Sequence, residues 1–285
     1  MSCCLSCTGE VDHALTKAAL IKYAELLCSY PLKFKHVEHA AMEVRHKHNQ
    51  FAPLYNGMFS HPVWAARADR AQSITGLLLG LFIIVHLHFE SSIMLGKQAF
   101  YTVVQFLEGG IFSESGHGFP ILTQVFSVFM LLIVMLHALF ALRRFPTQIK
   151  QWFKLREQMN VIPHQDTKIW FWQMLTGFIL FFLVPVHLFT LIATPDIGPH
   201  LSAERVYHDN AWLLYLVLLP AVVIHAMFGL YRVVIKWGIF SNRVGLLKLA
   251  KVMVVYLIAL GIASLVTYLV IGHGLALPVV PYSGV

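Results

Sequence analysis

Charge is what this sequence has least of. Asp, Glu, Lys and Arg make up 12% of its 285 residues, about half the roughly 25% of an ordinary soluble domain. So few charged side chains cannot clothe a water-facing surface, which excludes a single soluble domain. Disorder is excluded too, because it requires low hydrophobicity and 58% of the residues here are hydrophobic. Cysteine is missing beyond position 28: the four are Cys3, Cys4, Cys7 and Cys28. A disulfide framework is therefore excluded, for want of partners elsewhere in the chain. Cys4-Leu5-Ser6-Cys7 has CxxC spacing, but Thr8 stands where a covalent haem-attachment motif needs His. These cysteines are read as reduced cytoplasmic thiols. The start of the chain also lacks the basic-then-apolar pattern of a signal peptide, since residues 1–10 are short of apolar length.

What is present is hydrophobic length. Five segments, about residues 71–95, 121–142, 169–193, 211–234 and 249–271, reach the roughly 20 apolar residues that cross a bilayer. The expected fold is all-α, a polytopic bundle of five transmembrane helices. The net charge of +7 is concentrated in alternate loops. Arg143, Arg144, Lys150, Lys154, Arg156 and Lys168 lie between spans two and three. Arg232, Lys236, Arg243, Lys248 and Lys251 lie around the join of spans four and five. The first loop has only Lys97, and the third only Arg205. Basic loops stay inside, so the N-terminus is expected in the cytoplasm and the tail outside. Three regions follow: 1–66, a cytoplasmic extension that is amphipathic and His-rich; 67–274, the five-helix membrane domain; and 275–285, an outer-face tail. In the first, residues 15–27 read as a soluble amphipathic helix. His36, His39, His46 and His48 read as a solvated face that touches a partner rather than a zinc site.

Five of the 16 histidines fall in the spans: His86, His88, His137, His187 and His225. Ionisable groups inside a bilayer are costly and usually functional. Depth groups them. At 1.5 Å per residue, His86 lies about 22 Å along span one and His187 about 27 Å along span three, both in the outer half. His137 and His225 lie about 24 Å and 21 Å along spans two and four, which run inward, so both are in the inner half. Two bis-imidazole sites stacked across the membrane suit two haems b, and bis-His ligation leaves no open position for oxygen chemistry. Electron transfer is the expected task. His88 sits about 200° around the helix from His86 and is not expected to be a ligand. Gly76, Gly80, Gly177 and Gly229 permit close approach of a flat macrocycle or a neighbouring helix. Arg144 and Lys236 lie whole turns beyond His137 and His225 on the same faces, within reach of the inner haem's carboxylates. Gln72, Ser73 and Trp170 begin spans one and three at that level. Arg205 is the candidate cation for the outer haem.

The segments Gln72-Ser73-Ile74-Thr75-Gly76, His137-Ala138-Leu139-Phe140-Ala141-Leu142-Arg143-Arg144-Phe145-Pro146, Met174-Leu175-Thr176-Gly177-Phe178 with Val186-His187-Leu188, and His225-Ala226-Met227-Phe228-Gly229-Leu230-Tyr231-Arg232 follow one another in order. Together they resemble the di-haem cytochrome b subunit of quinol:fumarate reductases and succinate:quinone reductases, over about residues 68–270. The resemblance implies His86 and His187 as ligands of a distal haem, and His137 and His225 as ligands of a proximal one. It implies Gln72, Ser73, Trp170 and Lys236 near the proximal propionates and Arg205 near the distal. Glu108, in Phe106-Leu107-Glu108-Gly109-Gly110, matches a carboxylate at the quinol-oxidation site, where a base must accept protons. One departure stands out. Two residues before the last ligand, some fumarate reductases of this kind carry a Glu thought to conduct protons; here it is Val223.

The function implied is that of a bacterial inner-membrane anchor for a flavoprotein subunit with FAD and an iron–sulfur subunit. It would pass electrons from menaquinol to the latter, with no dicarboxylate site of its own and with a dimer of heterotrimers as the expected assembly. Phe89 and Phe112 exemplify the apolar walls of a quinone pocket. Alternatives are the same subunit in a succinate dehydrogenase, another respiratory bis-His cytochrome b, a transporter using histidine relays, and a membrane zinc or di-iron enzyme.

Overall fold

A computed structural model describes residues 62–114, 117–143, 145–146, 148–161 and 165–284. The cysteines, the amphipathic segment at 15–27, the histidines at 36–48 and Arg144 lie outside the described residues. All regular structure among the described residues is helical. Five helices are long and apolar enough to cross a membrane: α1 Pro62–Ser91, continued by a 3-10 turn to Leu95; α3 Pro120–Leu142; α5 Gln165–Ala193; α7 Trp212–Lys236; and α8 Arg243–His273. Three shorter helices lie in the connections: α2 Lys97–Leu107, α4 Ile149–Val161 and α6 Pro199–Tyr207.

Helices one, three and five start earlier than their apolar runs. The first turns of α1, α5 and α8 carry Asp69, Asp166 and Lys168, and Arg243 and Lys248. Backbone hydrogen bonding continues through such residues because a helix needs apolarity only where lipid surrounds it. Local chemistry sets several of the ends. Pro120 and Pro199 open α3 and α6, where a missing N–H costs nothing. The Asn242 side chain accepts from the Gly245 N–H at 2.9 Å and caps α8.

The helices alternate in direction. Lys236, closing α7, pairs with Asp69 in the first turns of α1. Gln124, opening α3, donates to the Ile192 carbonyl near the end of α5 at 2.7 Å. Tyr268, near the end of α8, donates to Glu90 near the end of α1 at 3.0 Å. So α1, α5 and α8 start at one end, here called the near end, and α3 and α7 start at the far end. Small buried cores join the helices at several levels. Val223, Met227 and Leu257 form a buried α7–α8 core against Ile84 and Leu87 of α1. The outer faces carry large apolar side chains such as Phe189 (66% exposed), Val255 (70%) and Leu132 (64%). A girdle of that size needs a lipid solvent.

Candidate functional site

One continuous cavity of about 1450 Å³ runs between α1, α3, α5 and α7, and all four candidate histidines line it. Its volume exceeds the roughly 300–1,000 Å³ of a pocket for one small molecule. His86 and His187 face each other with ring centres 6.4 Å apart and planes at 55°. His137 and His225 do the same at 6.4 Å and 90°. A metal–imidazole bond of about 2.0 Å, plus about 1.1 Å from nitrogen to ring centre, puts two axial imidazoles about 6.2 Å apart. Both spacings therefore leave room for an iron between the rings, and the four residues fit two porphyrin metals. Among the described residues no group of three or more His, Cys, Asp or Glu gathers to hold a bare ion. His88 points elsewhere: its Nε2 meets the Tyr256 hydroxyl at 2.9 Å, on an exposed face.

The near-end pair is oriented by a device that occurs twice. The His225 Nδ1–H donates to the Gln173 carbonyl at 2.8 Å, with the Thr176 hydroxyl at 3.4 Å. His137 is oriented by the matching threonine: the Thr75 hydroxyl lies 3.1 Å from its Nδ1 and itself reaches the Gln72 carbonyl at 3.2 Å. Fixing the proton on Nδ1 leaves Nε2 unprotonated, with its lone pair free to bind a metal. In each case the following residue is glycine. A Cβ at Gly76 would stand 3.0 Å from the His137 Cε1, and one at Gly177 would stand 2.9 Å from the His225 Cε1. Only a bare backbone lets the helices come that close.

This device has a sequence signal that hydropathy and depth do not reveal. Gln-x-x-Thr-Gly, nine residues, then His occurs at Gln72–His86 and again at Gln173–His187. His-Ala-x-Phe-x-Leu-x-Arg occurs at His137–Arg144 and again at His225–Arg232. The period differs between the two motifs, so a search for a fixed repeat misses them. α1 with α3 and α5 with α7 thus carry two copies of one motif pair in sequence, and in space each histidine faces its own counterpart.

At the near end, Gln72, Ser73, Trp170 and Lys236 line the cavity. Lys236 donates to the Ser73 hydroxyl at 2.8 Å besides its pair with Asp69. The Gln72 Oε1 is buried without a hydrogen-bond partner. A buried amide in want of a partner beside a lysine fits a carboxylate-bearing guest, once the amide turns its NH₂ inward. Arg232 and Gln173 join the set, bonded to each other at 2.6 Å. Sequence inspection used Arg232 only as a topological charge. At the far end Arg205 lines the cavity, its guanidinium fixed by the Thr194 carbonyl at 3.0 Å and by that of Asp196. Tyr215 sets its hydroxyl 3.5 Å from the His187 Nδ1, and Phe82 stacks on His86 at 5.3 Å.

Glu108 is not a solvated loop side chain. It follows the last turn of α2 and is 4% exposed. The Thr123 hydroxyl donates to its carboxylate at 3.0 Å, and Thr123, not Glu108, is on the cavity wall. Burial, opposed by the Thr123 hydrogen bond and assisted by Asp196, raises its pKa above the ordinary carboxylate value. Gly118 closes over it where any Cβ would collide. Phe89 lines the cavity, whereas Phe112 is 85% exposed outside it. Val223 is fully buried against α8 and does not reach the cavity.

Comparison with known proteins agrees with this architecture. The family described as Succinate dehydrogenase/Fumarate reductase transmembrane subunit matches residues 154–264. The fumarate reductase cytochrome b subunit of Helicobacter pylori strain J99 is 42% identical over 207 residues, covering 72% of this chain and 80% of the relative. That of Wolinella succinogenes is 38% identical over 210 residues, covering 71% and 81%. With imidazole pairs in a membrane-spanning helical bundle and relatives aligned over most of their length, the chain belongs to the fumarate reductase cytochrome b subunits, within the succinate dehydrogenase/fumarate reductase transmembrane family.

Proposed function

We propose that the chain is the quinone-reactive membrane subunit of a quinol:fumarate reductase, holding two haems b, the outer between His86 and His187 and the inner between His137 and His225. The observation that carries this reading is the presence of two imidazole pairs, each 6.4 Å across, in one cavity. When bound there, held by these four histidines, haem would supply one-electron carriers. The near end is then the cytoplasmic side, in keeping with the basic loops on that side.

The chain's residues have distinct tasks. The Gln173 carbonyl fixes the His225 tautomer, with Thr176 beside it, and the Thr75 hydroxyl orients His137. Gln72, Ser73, Trp170, Lys236 and Arg232 receive the inner propionates, and Arg205 the outer. Arg144, by its place in the repeated motif, is the counterpart of Arg232. Menaquinol is the substrate at the outer end, and its oxidation releases two protons. Thr123 meets it at the wall and passes a proton to Glu108, the general base. The cytoplasmic face anchors the iron–sulfur subunit and, with it, the flavoprotein that carries FAD and the dicarboxylate site. Residues 1–66 form a separate cytoplasmic extension.

The test is a reduced-minus-oxidised spectrum with haem quantitation on the purified complex. Wild type is expected to contain two haems per chain and His137→Ala one, with the inner haem lost. Fewer than two in intact wild type overturns the reading.

A further inference from the structure

Two acids line the cavity, Asp69 and Glu90. Asp69 is paired with Lys236. Glu90 has no ion pair among the described residues, and nothing in the mechanism above uses it. It stands one turn beyond His86 on α1. From α8 the Tyr268 hydroxyl donates to its Oε2 at 3.0 Å, and Tyr268 is itself 5% exposed and wedged edge-on against Phe100. From α7, Tyr215 is close enough to interact electrostatically with Glu90 and with Tyr268, and its hydroxyl approaches His187 of α5. From α6, Arg205 faces Tyr215 but gives hydrogen bonds to two carbonyls. Ser264 donates to Ser91 at 3.2 Å alongside.

A carboxyl group inside a membrane span with one hydrogen-bond donor and no cation is costly to keep charged. Its protonation answers to any charge that changes nearby, because interactions are strong where water is excluded. The charge that changes on this cavity wall is that of the centre between His86 and His187. We propose that Glu90 is the proton-binding partner of the outer haem, taking up one proton when that centre gains one electron and releasing it when the electron leaves. This rests on the ligand assignment under the proposed function. The electron comes from the quinol, and the proton is one of the two the same oxidation sets free. On reoxidation the electron moves inward and Glu90 returns the proton to the cavity. A merely structural Glu90, tying α1 to α8, would couple nothing to pH.

The experiment is an optical redox titration of both haems in the purified complex at a series of pH values, with haem quantitation on the same samples. In wild type the outer haem's midpoint potential is expected to fall with rising pH, by at most about 59 mV per tenfold change in proton concentration for one proton per electron. In Glu90→Gln that slope is lost and the potential stays near the wild-type low-pH value. A Glu90→Gln complex with two haems and an unchanged slope overturns the proposal. So does a slope that vanishes in Glu108→Gln instead. If Glu90→Gln does not assemble, Tyr268→Phe keeps the carboxyl and removes its donor. That variant must displace the pH interval of the slope, and an unmoved interval overturns the proposal. Wild type with fewer than two haems is a different failure, that of the ligand assignment.

Discussion

A Glu108→Gln complex keeps both haems and loses about 100-fold in quinol-driven fumarate reduction, the lower part of the range for removing a general base. The amide can still accept from Thr123, so the packing under Gly118 and beside α2 is preserved. What it cannot do is take a proton from the quinol. The wild-type pH profile carries a matching signature. Glu108 acts as a base only when ionised, and its burial places that ionisation above the ordinary carboxylate value of about 4.3. Activity therefore rises with pH through an interval above that value as the carboxylate forms. In Glu108→Gln this acidic limb disappears and the residual rate is flat there. Steady-state rates from about pH 5 to 8, beside a spectrum that counts haems, decide the matter. An undiminished rate with the limb intact would remove Glu108 from the mechanism. Loss of rate together with haem would make it a structural residue.

A second large effect is expected at Gly177. The Cβ that any other residue brings would stand 2.9 Å from the His225 Cε1 and 3.2 Å from its Nδ1. The Cβ would press on the same Cε1–Nδ1 edge that the Gln173 carbonyl of this helix bonds, so the ring can make room only by giving up that hydrogen bond. Gly177→Leu therefore turns the ring out of register with His137, and the inner haem is lost. The overpacking destabilises the bundle by about 1–3 kcal/mol besides. Gly76→Leu is expected to do the same through His137, where the approach is 3.0 Å. Gly198→Ala is the control: its φ of 179° is extended backbone, and a Cβ there meets nothing within 4 Å. Haem-to-protein ratios and thermal melts of the three variants give the answer. A Gly177→Leu protein with two haems and a wild-type melt would show that the close approach has no role.

Much of this molecule was open to inspection of the chain alone. The five spans were visible because hydropathy is a property of consecutive residues, and lipid demands it of every helix separately. The grouping of His86 with His187, and of His137 with His225, was visible because a helix rises by a constant 1.5 Å per residue, so sequence position becomes depth. The structure brings together the same rings. The glycines at 76 and 177 were marked as points of close approach, and they face the rings.

What depth does not contain is rotation about each helix axis. That angle is set by packing against neighbours, and it decides which side chains share a wall. It turns Arg232, Gln173 and Tyr215 into the cavity and sends Val223 to the α8 interface. It puts Tyr268, some 178 residues away in sequence, against Glu90. The helices α2, α4 and α6 escaped notice because their apolar stripes are short and interfacial. The burial of Glu108 depends on α2 and the start of α3 folding over it. Sequence alone determined which helices cross the membrane and the level at which each histidine sits, because both follow from distance along a single helix. Only the tertiary structure decided which carbonyl steadies which imidazole and which acids are shut away from water, because those contacts join helices whose facing sides no one segment encodes.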